Sequence, residues 1–167
     1  MSKYYAGIGS RKTPIEILDL MNQIATELSN EDWTLRSGGA DGADSAFEVG
    51  ATKKQIFLPW NGFNIREVEG DLVLDNLQAW DLVSNHFHPA PEKCTQGAQR
   101  LHGRNAFIIL GPELNEPVDM VICWTPNGEV TGGTGLALRI AEHFEIPVFN
   151  LANANALDQL VEFVNNQ

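Results

Sequence analysis

The chain has 167 residues, 43% of them hydrophobic and 20% charged, with 11 basic against 22 acidic side chains and a net charge of −11. That length supports one domain of ordinary size with a proper core, and the acidic excess argues against nucleic acid as a partner, because a footprint on it needs a basic face. No apolar run approaches the roughly 20 residues that span a bilayer, and Met1 to Tyr5 lacks the apolar segment of a signal peptide. Cys94 and Cys123 lie far apart and outside any metal-ligand spacing, so both read as reduced thiols of a cytoplasmic protein with no membrane partner. His86, His88, His102 and His143 form no zinc signature, and His86-Phe87-His88 reads as a loop or surface pair. Neither a metal nor a cofactor is expected.

In chain order, Tyr4 to Ile8 is a β-type run that ends in the glycine turn Gly7-Ile8-Gly9-Ser10-Arg11. Thr13-Pro14 with Glu16 marks a helix start, Thr13 as cap and Pro14 at the first position. Ile15, Leu18, Met21, Ile24, Ala25 and Leu28 then recur at helical spacing to about Asn30. Trp33 to Arg36 is a second strand, broken by Ser37-Gly38-Gly39, and a helix follows to about Ala51 with Ala43, Ala46, Phe47 and Gly50 on one face. Gln55 to Leu58 is a third strand, halted by Pro59. Residues 60–91 have mixed periodicity and read as a helical or irregular insertion, a lid or specificity element or else a structural filler.

From Glu92 to Leu110 the pattern is helical, with Gly103-Arg104-Asn105 inside it or at a break. Val118 to Trp124 is a near-continuous apolar run, as a parallel strand covered on both faces requires. A short loop leads to Thr131-Gly132-Gly133-Thr134-Gly135 and another helix, then to a last strand over Ile146 to Asn150 and a closing amphipathic helix over Ala156 to Asn165. The order predicts an α/β fold over residues 1–167: a Rossmann-like, doubly wound parallel sheet of about five strands with helices on both faces.

Three strands therefore end in glycine turns that carry small hydroxyls, and in an open parallel sheet those ends share one edge. A glycine turn opening a helix makes an anion site, since the first N–H groups of the helix have no partner within it. A phosphate would sit on those N–H groups and on Ser37 or Thr134, with Arg11 and Arg104 supplying positive charge. Asp41 and Asp44 would face hydroxyls, as an acidic residue does with a ribose. A nucleotide or sugar phosphate suits this set. For each turn the plainer reading is a tight βα connection, and for Asp44 a helix cap. Gly7-Ile8-Gly9 lacks the third glycine of the dinucleotide fingerprint, and there is no Gly-Lys-Ser/Thr P-loop.

Ser37-Gly38-Gly39-Ala40-Asp41-Gly42-Ala43-Asp44 resembles the Gly-Gly-Ala-x-Gly-Ala/Ile-Asp motif of the SLOG superfamily, which includes DprA-like, LOG-like and YspA-like proteins. Gly9-Ser10-Arg11, Arg104-Asn105 and Thr131-Gly132-Gly133-Thr134 resemble further motifs of that group, as does Ile146-Pro147-Val148. The resemblance covers most of the chain outside residues 60–91. It implies a Rossmann-like fold and a nucleotide-derived ligand held by Gly9, Ser10, Arg11, Ser37, Gly38, Gly39, Asp41, Asp44, Arg104, Asn105 and the Thr131–Thr134 turn. LOG-like members hydrolyse the N-glycosidic bond of nucleoside monophosphates with a glutamate after the late turn, where this chain has Leu138 or Arg139. Asp44, Glu48 and Glu142 are the candidate substitutes, each also readable as an ordinary surface or capping carboxylate. A non-enzymatic nucleotide sensor is the alternative, and a DprA-like helper that binds single-stranded DNA is the second. Relatives on this fold commonly pair through helices, which makes Trp60, Phe63 and Trp80 candidates for an interface or a lid of a homo-oligomer.

Overall fold

The computed structural model describes residues 2–167. Five strands, β1 (Lys3–Gly7), β2 (Trp33–Ser37), β3 (Lys54–Ile56), β4 (Met120–Cys123) and β5 (Val148–Asn150), form one sheet in the order β3-β2-β1-β4-β5. Every pairing is parallel, as predicted. The chain winds outward from β1 through β2 to β3 and then returns to the other side of β1 for β4 and β5. The strand order reverses between β1 and β4, and in such sheets the crevice at the reversal, outside the carboxyl ends, is where ligands bind.

Alternation along the strands explains why both faces are covered. Tyr5, Leu35, Met120 and Ile122 point into one core with Met21, Leu28, Phe47 and Leu160, which come from α1 (Ile15–Asn30), α2 (Ala43–Gly50) and the closing helix Ala156–Asn165. Their neighbours Ala6, Val121 and Cys123 point into the other core with Ile109, Leu136 and Ile140. The connection after β3 supplies α3 (Asn76–Leu82), and α4 (Gln96–Leu110) and α5 (Gly132–His143) cover that second face; the closing helix is α6.

Several boundaries differ from the sequence reading. Thr13 does not cap α1: its hydroxyl donates to the Ser10 carbonyl at 2.6 Å, and Pro14 occupies the cap position without a side-chain bond. The helical pattern from Glu92 is a short 3₁₀ turn over Pro91–Lys93 followed by α4, which starts where Thr95 accepts the Ala98 N–H at 3.2 Å. β3 ends at Ile56, after which the Phe57 N–H still donates to the Ser37 carbonyl at 2.9 Å and Phe57 forms a single bridge to Leu72. Residues 60–91 are 3₁₀ turns and α3, with no strand of the sheet. No helix among the described residues is long and apolar enough to cross a membrane.

Candidate functional site

The second turn is built around a buried charge. Arg104, on α4 and only 7% exposed, sends Nη1 to the Gly38 carbonyl at 2.6 Å and the Phe57 carbonyl at 3.3 Å. Its Nε donates to Asn105 Oδ1 at 2.9 Å, and Asn105 Nδ2 in turn donates to the Gly133 carbonyl at 3.1 Å. Two adjacent residues of one helix thus tie the turn after β2 to the turn that opens α5. Gly38 lies between Arg104 and Asp44: a Cβ there would come within 2.7 Å of Arg104 Nη1 and 2.9 Å of Asp44 Oδ2. Only glycine leaves room for that pair.

Asp44, on the first turn of α2 and 6% exposed, accepts the Ala40 N–H at 3.3 Å. Burial pushes its carboxyl up to about 6, opposed by the Arg104 charge and by the N–H groups of Ala40 and Gly38. A carboxyl raised on folding adds stability that is complete below its unfolded value of 3.8 and is lost as pH rises through about 6. Lowering the pH from 7 to 4 should therefore favour the native protein over its Asp44→Asn variant by about 2 kcal/mol. Parallel urea titrations of both proteins at the two pH values measure this. A constant difference between them would show that Asp44 titrates as an ordinary carboxyl.

Above the turn lies a roof in which Trp60 and Phe63, singled out in the sequence, are joined by polar anchors that the sequence did not disclose. Arg66 grips Glu48 through both Nη atoms, at 2.8 and 2.9 Å, and Asp71 through Nε at 2.9 Å. Asn64 Nδ2 donates to the Gly39 carbonyl at 3.1 Å and to Asp41 Oδ1 at 3.0 Å. The Phe63 ring lies 5.5 Å from the Arg104 guanidinium and meets Trp60 edge to face. No periodic signal in residues 60–91 marks Asn64, Arg66 or Asp71.

The third turn is open. α5 begins at Gly132 after Thr131, whose side chain caps nothing, and a Cβ on Gly132 or Gly133 would meet no atom within 4 Å. Thr131, Gly132 and Gly133 are exposed and Thr134 half-buried, so the first N–H groups of the helix face solvent. Arg11 and Lys12 are exposed after β1, and the Arg11 backbone packs on Gly42. The Gly9 turn is held to β4 by the Ser10 N–H, which donates to the Trp124 carbonyl at 3.1 Å.

Several candidates have other duties. Ser37 is fully buried and its hydroxyl donates to the Gly7 carbonyl at 2.6 Å, joining β2 to β1 rather than meeting a phosphate. Ser10 Oγ accepts the Lys12 N–H at 3.0 Å. Arg104 is a strut inside the crevice wall, its contacts all internal, so exposed positive charge beside the glycine turns comes from Arg11 and Lys12. Glu48 is held by both Nη atoms of Arg66. Glu142 stands exposed in the last turn of α5, about 13 Å along the helix from Gly133. Neither glutamate can serve the crevice, which leaves Asp44 as the candidate carboxylate there.

A parallel five-stranded sheet with its glycine turns gathered at the strand-order reversal defines a Rossmann-like α/β protein, and its fold is DprA-like. A solved structure that it matches is DNA processing protein A from Helicobacter pylori, described for its single-stranded DNA binding mode. The likeness has a TM-score of 0.56 at 20% identity and covers 96% of this chain and 72% of that one. No family model matches the chain, and no curated protein does. The likeness overturns the expectation drawn from net charge that nucleic acid is an improbable partner, because a chain of this fold binds single-stranded DNA. Total charge does not describe the local field at a helix terminus.

Proposed function

We propose that the crevice binds single-stranded DNA, seating a backbone phosphate on the amino end of α5. The observation that carries this reading is the uncapped, exposed start of α5, held beside the Gly38 turn by Arg104 and Asn105. Such a terminus offers N–H donors and the positive end of a helix dipole to an anion. Trp60, 38% exposed and packed on Phe63, adds an aromatic surface on which a base can stack. The DprA-like fold and the resemblance to the SLOG superfamily support the same reading.

With Arg11 and Lys12 as the exposed cations after β1, few phosphates are engaged. The logarithm of affinity should fall with the logarithm of salt by about 0.7 per phosphate, hence with a slope of only about −1 to −2. Fluorescence anisotropy with an oligo-dT probe across a salt series measures this. Gly133→Asp places a carboxylate where the phosphate would sit, in open space, and should weaken binding tenfold or more at unchanged stability. An oligonucleotide that fails to bind at low salt, or one bound equally by the variant, would overturn the proposal.

The acidic total favours one competing reading, a sensor of free nucleotides, since a single phosphate needs no basic track. In that case nucleoside phosphates bind and the oligonucleotide does not. Cleavage of an N-glycosidic bond would rest on Asp44 alone, which is buried facing Arg104 and out of reach of a sugar, so incubation with nucleoside monophosphates should release no base.

A further inference from the structure

We propose that His88, Cys94 and His102 form a binding site for a zinc-class divalent ion, separate from the crevice. One nitrogen of each imidazole and the Cys94 sulfur all lie within 4.8 Å of one another. Cys94 Sγ is 3.4 Å from His88 Nε2, and the two imidazole rings are 4.9 Å apart. Zinc bonds of about 2.3 Å to sulfur and 2.0–2.1 Å to nitrogen set neighbouring ligand atoms about 3.3–3.7 Å apart in a tetrahedron. The Cys94–His88 distance already spans one edge of it, and the remaining edges, at 4.8 Å or less, need a contraction of at most about 1.5 Å.

The three residues come from one loop and one helix brought together by local constraints. Pro89 and Pro91 stiffen the chain between His88 and Cys94, and the 3₁₀ turn Pro91–Lys93 folds it back. His102 comes from α4, and Trp80 of α3 packs on both rings, at 6.0 Å from His88 and 5.9 Å from His102. His102 Nδ1 is buried without a hydrogen-bond partner, a rare condition for a polar atom. All three residues are half-buried, which leaves an entry path. A thiolate with two imidazoles is a borderline-soft set suited to Zn²⁺ or Co²⁺, and three protein ligands leave a fourth position for water.

Binding must change the hydrogen bonds around His88. The Ala90 N–H donates to His88 Nδ1 at 2.9 Å, so the ring proton sits on Nε2, directed at the Cys94 sulfur. When the metal takes Nε2, that proton moves to Nδ1, the Ala90 N–H turns to water, and the Cys94 thiol releases its proton to solvent. The ion then links the loop to the helix that carries Arg104 and Asn105.

Titration of the full chain with Co²⁺ tests the site. One equivalent should bind, with the visible absorption of a tetrahedral ion and a thiolate-to-metal charge-transfer band, and Zn²⁺ should displace it and shield Cys94 from alkylation. Cys94→Ser should remove the charge-transfer band, and His102→Gln should weaken binding tenfold or more, both with an unchanged circular dichroism spectrum. His86→Gln, at an exposed neighbour outside the cluster, should bind as the native chain does. Absence of stoichiometric binding, or a band that survives Cys94→Ser, would overturn the proposal. So would unchanged affinity in His102→Gln.

Discussion

Replacing Arg104 with alanine is expected to lower the free energy of unfolding by about 3–5 kcal/mol. The guanidinium is buried, and its loss leaves the Gly38 and Phe57 carbonyls and Asn105 Oδ1 without this donor. It also leaves the Asp44 carboxyl without the nearby cation that opposes its desolvation. Each buried acceptor left unpaired costs about 1–3 kcal/mol, while a domain's whole stability is about 5–15 kcal/mol. The variant should therefore stand near the edge of folding, with a urea midpoint well below that of the native chain. Combining Arg104→Met with Asp44→Asn keeps much of the packed stem and removes both buried charges. That double variant should be less destabilised than the two single changes summed, since the residues share one environment. A loss below 1 kcal/mol for Arg104→Ala would show that water already solvates the guanidinium. The same substitution releases the Gly38 turn from the start of α5, so DNA binding should fall even where the fold survives.

That role separates what the sequence discloses from what it does not. The strands are legible because apolar runs such as Val118 to Trp124 admit few alternatives, and α6 is legible over its full span because a helical stripe is periodic. The glycine turns are legible for the same local reason. Whether a cation near them meets ligand or protein is not local. Arg104 and Arg11 are alike in sequence as charged residues beside motifs, yet one is enclosed by α4 packing on the sheet and the other is exposed. Glu48 is lost as a catalytic candidate to Arg66, 18 positions downstream in a stretch without periodicity. The His88, Cys94 and His102 cluster escapes notice because its spacings fit no signature, and only the folded proline loop closes it. Short-range chemistry was readable; pairing across the fold was not.

Packing of the insertion yields the second large effect, in Gly103→Ala. A Cβ on Gly103 would run into the backbone of Asn76, overlapping its carbonyl oxygen and lying 2.8 Å from its carbonyl carbon. The obstacle is main chain, so no rotamer relieves it and α3 must move away from α4. Asn76 Nδ2 donates to the Leu58 and Pro59 carbonyls, both at 2.9 Å, so displacing α3 pulls on the chain that leaves β3. Leu58 in turn packs against Gly39 of the second turn. Overpacking of this kind costs about 1–3 kcal/mol and sometimes more, against a gain of at most about 1 kcal/mol in helix propensity. Gly97→Ala, on the same helix, meets nothing closer than Thr95 Oγ1 at 4.0 Å and should raise stability by a few tenths to about 1 kcal/mol. The same chemical change six residues away should thus act with opposite sign, as thermal or urea unfolding of the two variants would register. Equal shifts in both would mean that α3 is free to slide along α4, and that the roof over the Gly39 turn is not anchored through Asn76.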